Sequence, residues 1–363
     1  MIHMQMTLGQ HLQLTLFGTS HGPLVGAYLQ GVPNGIPIDR NEIQKAMDKR
    51  KPGGKFASKR KEPDNVELLS GISNEITNGE KIEISIKNKD ARSSDYSFIP
   101  NHPRPGHQDM VMLKRTNGEA DLRGGGTSSA RLTAPIVAAA AIIEPILEKL
   151  GIGMNAHVSA IGNIESRPIN QCPEKWANEE CHLIRCRDPE VAQSMIDLIH
   201  SQRKNLDSIG SKVELCISGL PLGLGEPWFD GIEPALSRAM MSIPAARGVS
   251  FGHGFDVVKM SGSEHNSAWG GTKNTPVLEG EKPDGALAGL ATGSDLLCSV
   301  AFKPPSSIAK EQLTLNLETN QKENLTVRGR HDPVLGPRAV AVVEAMAKLI
   351  ICDLLIRGGF VNE

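Results

Sequence analysis

Aromatic residues are scarce, at 4% of 363 residues with 3 Trp and 2 Tyr. That scarcity excludes the stacked aromatic platform on which single-stranded nucleic acids are usually held. The formal net charge is -2, so there is no overall basic excess to neutralise duplex phosphates. Any anion site must come from local clustering. No uninterrupted apolar run reaches the roughly 18 residues of a membrane span. Residues 1–13 are polar and lack a signal-peptide core, so the expectation is a cytoplasmic protein with no membrane and no nucleic-acid partner. Six cysteines do not make a disulfide framework in a chain of this length. Cys172, Cys181 and Cys186 stand near His182, but their spacing fits no common zinc pattern, and no metal site is expected.

Hydrophobic residues make up 39% of the chain, enough for a sizeable core. Alternating or apolar runs bounded by Gly and Pro predict strands at 11–17, 24–30, 66–69, 81–87, 212–218 and 296–302. Helical periodicity predicts helices at 40–48, 135–150, 189–203, 231–241 and 337–356. The second and last of these are too apolar for solvated helices. They are expected to lie between other layers, with sheets covering central helices. A weak internal echo runs through the chain. Gly31-Val32-Pro33-Asn34-Gly35-Ile36 and Gly219-Leu220-Pro221-Leu222-Gly223-Leu224 each follow a strand and precede a helix. Gly- and Arg-bearing loops then feed each Ala-rich helix. The expectation is one domain, 1–363, built of two related halves (about 7–155 and 205–356) about a pseudo-twofold, with the site between them.

The segment 49–61 holds seven cations in thirteen residues, with Pro52, Gly53 and Gly54 marking a loop. Composition allows a solvated loop, a nucleic-acid patch or a lid over a small polyanion. Four further loops carry reactive residues: Gly18-Thr19-Ser20-His21-Gly22, Arg104-Pro105-Gly106-His107-Gln108-Asp109, Arg123-Gly124-Gly125-Gly126-Thr127-Ser128-Ser129-Ala130-Arg131, and Arg328-Gly329-Arg330-His331-Asp332-Pro333. Three consecutive glycines before a helix let backbone N–H groups approach an anion. This is no P-loop, because the Lys that would follow its glycines is missing. Together the loops point to an anionic ligand beside histidines able to move protons near neutral pH.

These loops resemble the signatures of the chorismate synthase family. The match continues through residues 31–37, 50–53, 61–64, 92–96, 207–210, 223–227, 242–245 and 303–307, and spans about 7–356. The resemblance implies an α+β, β–α–β sandwich fold with central helices between antiparallel sheets, a homotetramer and bound reduced FMN (FMNH2). The implied reaction is a 1,4-anti elimination of phosphate from 5-enolpyruvylshikimate 3-phosphate. Flavin donates electrons transiently to help phosphate leave, and a proton is taken up at its N5. Carried over residue by residue, His21 protonates the leaving phosphate, His107 bears on the flavin's protonation state, and Asp332 accepts the proton. Arg50, Arg104, Ser129 and Arg131 match substrate-binding positions. Thr127, Ser128, Ser129, Pro244, Ala245, Gly289, Lys303, Pro304, Pro305, Ser306, Ser307 and Arg330 match FMN contacts. Arg50 and Lys55 lie where NADP contacts fall in members that reduce their own flavin with NADPH, which makes the basic segment a lid.

The chain departs from the family pattern at several positions. Thr19 stands where the family has Glu, Thr127 replaces an Arg, and Lys55 replaces an Arg in a loop one residue shorter. A double-glycine run is reduced to Gly285-Ala286-Leu287-Ala288-Gly289-Leu290. Two other readings compete: a divergent flavoprotein acting on another phosphorylated cyclic acid, and an RNA-binding protein using the basic segment 49–61.

Overall fold

The computed structural model describes residues 6–51, 62–90, 93–280, 284–327, 329 and 331–361. The basic segment beyond Lys51, with Lys55, and Arg330 lie outside the described residues. The first half runs β1 (Thr7–Leu8), β2 (Gln13–Gly18), β3 (Leu24–Gln30), α1 (Arg40–Arg50), β4 (Glu67–Leu68), β5 (Ile82–Lys87), α2 (Asp109–Arg115) and α3 (Thr133–Lys149). The second runs β6 (Gly153–Ile161), β7 (Ile164–Glu165), α4 (Glu179–Ile184), α5 (Ala192–Lys204), β8 (Ser211–Ser218), α6 (Ile232–Ser242), β9 (Ala246–Phe251), β10 (Leu296–Phe302) and α7 (Gly336–Arg357).

Two five-stranded antiparallel sheets result, ordered β1-β2-β3-β5-β4 and β9-β10-β8-β6-β7. Their wiring corresponds. In each, the middle strand (β3 or β8) leads through the Gly-Val-Pro or Gly-Leu-Pro turn into a helix (α1 or α6). A later strand (β5 or β10) returns beside it, and a buried Ala-rich helix (α3 or α7) follows. The helices fill the space between the sheets. α3 packs on β3 and β5, α7 packs on β6 and β8, and α3 and α7 pack on each other, flanked by α1 and α6. The expected α+β sandwich is thus observed.

Composition explains why these two helices are internal. Every residue of α3 from Thr133 to Ala140 is buried, as is nearly all of α7 from Ala339 to Ile356. A helix apolar all round needs neighbours all round, and small alanines suit helices that must touch both a sheet and each other. The stretch 123–149 is long and apolar enough to cross a membrane by length and composition, and 78% of its apolar window is buried inside the protein. In β8 the alternation is clean: Ser211, Val213, Leu215 and Ile217 are buried and the residues between them are not.

Elsewhere the structure differs from the periodicity. The strand predicted at 11–17 starts at Gln13, because the backbone N–H groups of Gln10, His11 and Leu12 donate instead to the Asp353 carboxylate on α7 at 3.2, 2.8 and 2.8 Å. The helix predicted from 189 begins at Ala192, since Asp188 accepts from Glu190 N and holds a turn there. The interior strand β6 was not predicted. Its Asn155, His157 and Ser159 read as polar, yet His157 and Ser159 are buried.

Asp353 therefore ties the N-terminal segment to the last helix. Replacing it by Ala leaves three backbone donors without their acceptor; Gln10 is exposed and its N–H can turn to water, whereas each unsatisfied buried group costs about 1–3 kcal/mol. We expect Asp353→Ala to lower the unfolding free energy by about 3 kcal/mol, read as a fall in the denaturant midpoint with unchanged slope. An unshifted midpoint would show that water replaces the carboxylate at no cost.

Candidate active site

A cavity of about 610 Å³ opens where loops from both halves meet. The first half contributes His21 from the β2–β3 turn, Arg50 from the last turn of α1, His107, and the glycine loop with Ser128, Ser129 and Arg131. The second contributes Pro244, Ala245, Arg247, Lys303, Pro305, Ser306, Ser307, Asp332 and Arg338.

One wall is a buried ion cluster. Asp64 is fully buried and lies between two guanidiniums: Arg50 Nη2 is 2.5 Å from Asp64 Oδ2, and Arg131 Nη1 contacts Oδ1. Arg131 also donates from Nε to Asn88 Oδ1 at 2.8 Å. Burial alone would raise the Asp64 carboxyl, but the two adjacent cations outweigh it and hold the group below its ordinary value. Burial drives Arg50 down to about 10, helped by nearby Arg338 and Arg131. A guanidinium destabilised in this way gains from any further anion brought into the cavity. Asp64 itself sits at φ 52°, a left-handed conformation unusual for a residue with a side chain.

The two histidines are held differently. His21 occupies a turn closed by Thr19, whose Oγ1 accepts from Gly22 N at 2.9 Å. Its Nδ1 is 3.3 Å from Ser20 Oγ, and its ring stands edge-on to Tyr96 at 5.0 Å. The glycine loop passes directly beneath: a Cβ at Gly124 would lie 2.5 Å from His21 Cε1. His107 Nδ1 is 2.6 Å from Asp109 Oδ1. The same carboxylate accepts from Arg104 at both oxygens, with three bonds of 2.7–3.0 Å. Burial would raise Asp109, but hydrogen bonds from Arg104 and His107 prevail and hold it well below the usual carboxylate range. His107 is thereby oriented through Nδ1 by an ionised partner.

On the opposite side Asp332 Oδ2 is 2.5 Å from Arg338 Nη1, in the first turn of α7. Ala245 has φ 72°, and its carbonyl accepts from Lys303 N. Lys303 Nζ and Ser306 Oγ both donate to Gly106 O, at 2.5 and 2.7 Å, joining the two halves across the cavity. Burial, with Arg247 nearby, lowers Lys303 from its ordinary value.

His21, Arg50, His107, Ser128, Ser129, Arg131, Pro244, Ala245, Lys303, Pro305, Ser306, Ser307 and Asp332 are thus brought to the lining of one cavity. Arg104 lies behind it. Its guanidinium is buried and occupied by Asp109, Ser307 Oγ and Leu122 O, so in this geometry it supports His107 and presents no free fork to a ligand. Thr127 is half-buried outside the wall, and Pro304 lies against Gly210. Gly289 stands at the start of α6, where its carbonyl accepts from Ile232 N. Asn88, Arg247 and Arg338 were missed in the sequence because nothing local marks them, and Asp64, although it ends the 61–64 family match, was given no role. Only the cations in Arg-rich surroundings gave a signal, and Arg338 follows Pro337 in a predicted first helical turn. Cys181 and Cys186 are buried, and among the described residues no cluster could hold a metal.

A family model described as chorismate synthase matches residues 12–356. The chain is 41% identical over 355 residues to a chorismate synthase of Methanosarcina acetivorans, covering 98% of this chain and 97% of that one. It is 40% identical over 351 residues to a chorismate synthase of Aeropyrum pernix, covering 96% and 92%. Among solved structures, a chorismate synthase crystal structure shares the fold with TM-score 0.73 at 24% identity, covering 96% of this chain and 93% of that one.

The Arg104–Asp109–His107 clamp makes a stability prediction. A carboxyl held below its ordinary value of 3.8 contributes stability that is present above that value and is lost as pH falls through the folded one. Asp109→Asn leaves Arg104 buried without its counter-charge, at about 3–5 kcal/mol. Denaturant unfolding at pH 5 should show that difference from wild type, and the gap should shrink below about pH 4. A difference under about 1 kcal/mol at pH 5 would mean that Arg104 is balanced elsewhere.

Proposed function

The chain belongs to the chorismate synthase family, and from that premise we propose that it converts 5-enolpyruvylshikimate 3-phosphate to chorismate by 1,4-anti elimination of phosphate, with reduced FMN as cofactor. It is a lyase of aromatic biosynthesis. The observation that carries the finer reading is the meeting, around one cavity fed by both halves, of His21, His107 and Asp332 with a cluster of cations. A substrate with one phosphate and two carboxylates needs such a cluster; Arg50 and Arg131 supply it around the shared Asp64, and Arg338 beside Asp332.

The cavity residues of the second half, with the glycine loop, fit a flavin mononucleotide. A volume of about 610 Å³ lies within the range of cofactor pockets, roughly 300–1,000 Å³. The backbone at Ala245, turned by its positive φ, and the side-chain-free glycine loop offer flat approaches. Lys303 and Arg247 offer cations for a phosphate. Reduced FMN, when bound, supplies the electron density that an allylic C–O bond with no adjacent carbonyl needs in order to break.

This chain's own residues do the rest. Arg50 and Arg131 orient the anionic groups, prearranged by Asp64 so that little reorganisation remains on binding. His21 holds a proton for the departing phosphate. His107, fixed through Nδ1, presents its other nitrogen to the cavity as a proton relay. Asp332, steadied by Arg338, receives the proton lost from the substrate. Thr19 closes the His21 turn where the family has a Glu, so His21 has no carboxylate two residues before it.

NADPH as reductant, the homotetramer and a cytoplasmic setting belong to the same proposal. Trp228, Phe229 and Phe255, each more than 80% exposed, leave apolar surface for partner copies to cover. The comparisons give no support to a different phosphorylated substrate or to RNA binding.

The test is an anaerobic assay with 5-enolpyruvylshikimate 3-phosphate and chemically reduced FMN, following chorismate and phosphate together. Equal release of both, absent with oxidised FMN, is expected; substrate binding without product would reject the reading. Turnover with NADPH and oxidised FMN would establish self-reduction. His107→Ala should lower kcat by about 10²–10⁴-fold, the usual range for a proton-transfer group. Asp332→Ala should lose at least as much while still binding FMN, and full activity in either variant would remove that residue's role.

A further inference from the structure

Between the anion-binding wall and the His21 turn lies a side chain that touches both and to which neither the family signatures nor the mechanism gives a task. Asn88 follows directly on β5. Its Oδ1 accepts from Arg131 Nε at 2.8 Å. Its Nδ2 donates to Thr19 O at 3.0 Å and to Gly22 O at 2.8 Å, the carbonyls on either side of His21. Its backbone N–H donates to Pro23 O at 3.0 Å. One carboxamide thus uses its acceptor on the guanidinium that holds the substrate anion and both donors on the turn that holds the proton donor.

The chemistry makes that link consequential. Proton delivery to a leaving phosphate depends on the distance between the acid and the phosphate oxygen. Here the acid sits on a five-residue turn, and the phosphate is placed by Arg131. Ser20 ties the turn to the glycine loop, through its N–H to Gly126 O and its Oγ to Arg123 O, but it is Asn88 that bonds both the turn and the Arg131 guanidinium. We infer that Asn88 is a positioning residue that sets the spacing between His21 and the Arg131 anion site, acting on turnover through His21. This rests on the reading of His21 as the proton donor. An Asp at this position would still accept from Arg131 but could not donate to either carbonyl, so the two halves of the link can be separated.

The experiment is a double-mutant cycle on the full-length enzyme with reduced FMN. In the wild-type background Asn88→Ala should lower kcat by about 10²-fold, the scale of a misplacement near 1 Å. In a His21→Ala background the same change should cost no more than about twofold, because coupled residues are not additive. A general folding defect would instead cost the same in both backgrounds, and that result overturns the inference. Asn88→Asp, nearly isosteric, should lose at least as much turnover as Asn88→Ala; activity near wild type would show that only the Arg131 half matters and would also overturn it. Proton NMR of the ligand-free protein should show the His21 ring resonance shifted in both Asn88 variants, and an unmoved resonance counts against the link. If His21→Ala alone runs at full rate, the proton-donor reading fails and takes this one with it. A slow His21→Ala enzyme with additive Asn88 effects removes the positioning role alone.

Discussion

The cavity depends on one buried carboxylate. Asp64 has no exposed surface and sits in a strained backbone conformation between Arg50 and Arg131. Two guanidiniums brought this close in a low-dielectric wall would repel each other and would each lose their hydration. A single carboxylate shared between them offsets both costs only partly and leaves net positive charge facing the cavity. That remainder adds to Arg247, Lys303 and Arg338 on the same cavity, whose lining also holds Glu62, Asp90, Asp95 and Asp332; such local clustering is how a chain of net charge -2 can carry an anion site.

Everything around Asp64 serves to hold its partners in register. Arg50 ends α1, Arg131 lies just before α3, and Asn88 follows β5, three neighbouring pieces of the first half. The buried helices α3 and α7 bring the second half up to them, so that Asp332 and Arg338, at the head of α7, face the same space. Lys303 and Ser306, bonded to the carbonyl of Gly106, close the seam. The architecture separates tasks: apolar helices fix the distance between the halves, and polar loops at their ends supply the chemistry.

Much of this was legible in the sequence because strong local signals coincide with strong physical constraints. The strands at 24–30 and 296–302 were read with their observed bounds, since alternation or apolar runs flanked by Gly and Pro leave little else. The buried helices announced themselves through alanine and branched apolar residues on every face. Failures came where a tertiary partner replaced a local one. Residues 11 and 12 leave the strand because Asp353, more than 300 positions away, takes their N–H groups. The β6 strand was hidden because buried His157 stands opposite Glu214 across the sheet, a pairing no local window contains. Arg104 matched a substrate-binding position of the family, and only the fold shows Asp109 occupying it.

The sequence by itself determined which residue types gather on glycine-bearing loops, that two helices must be internal, and that the chain resembles one family from end to end. The first two conclusions need only composition, periodicity and spacing; the third rests on the order of matched signatures over about 7–356. The tertiary structure decided which cations face the cavity and which are neutralised behind it, and which carboxylate orients His107. It also decided that one amide ties His21 to Arg131. The physical reason is the same in each case. A charge's role is set by its distance to the nearest opposite charge and by its burial, and both are properties of chain segments that meet only on folding.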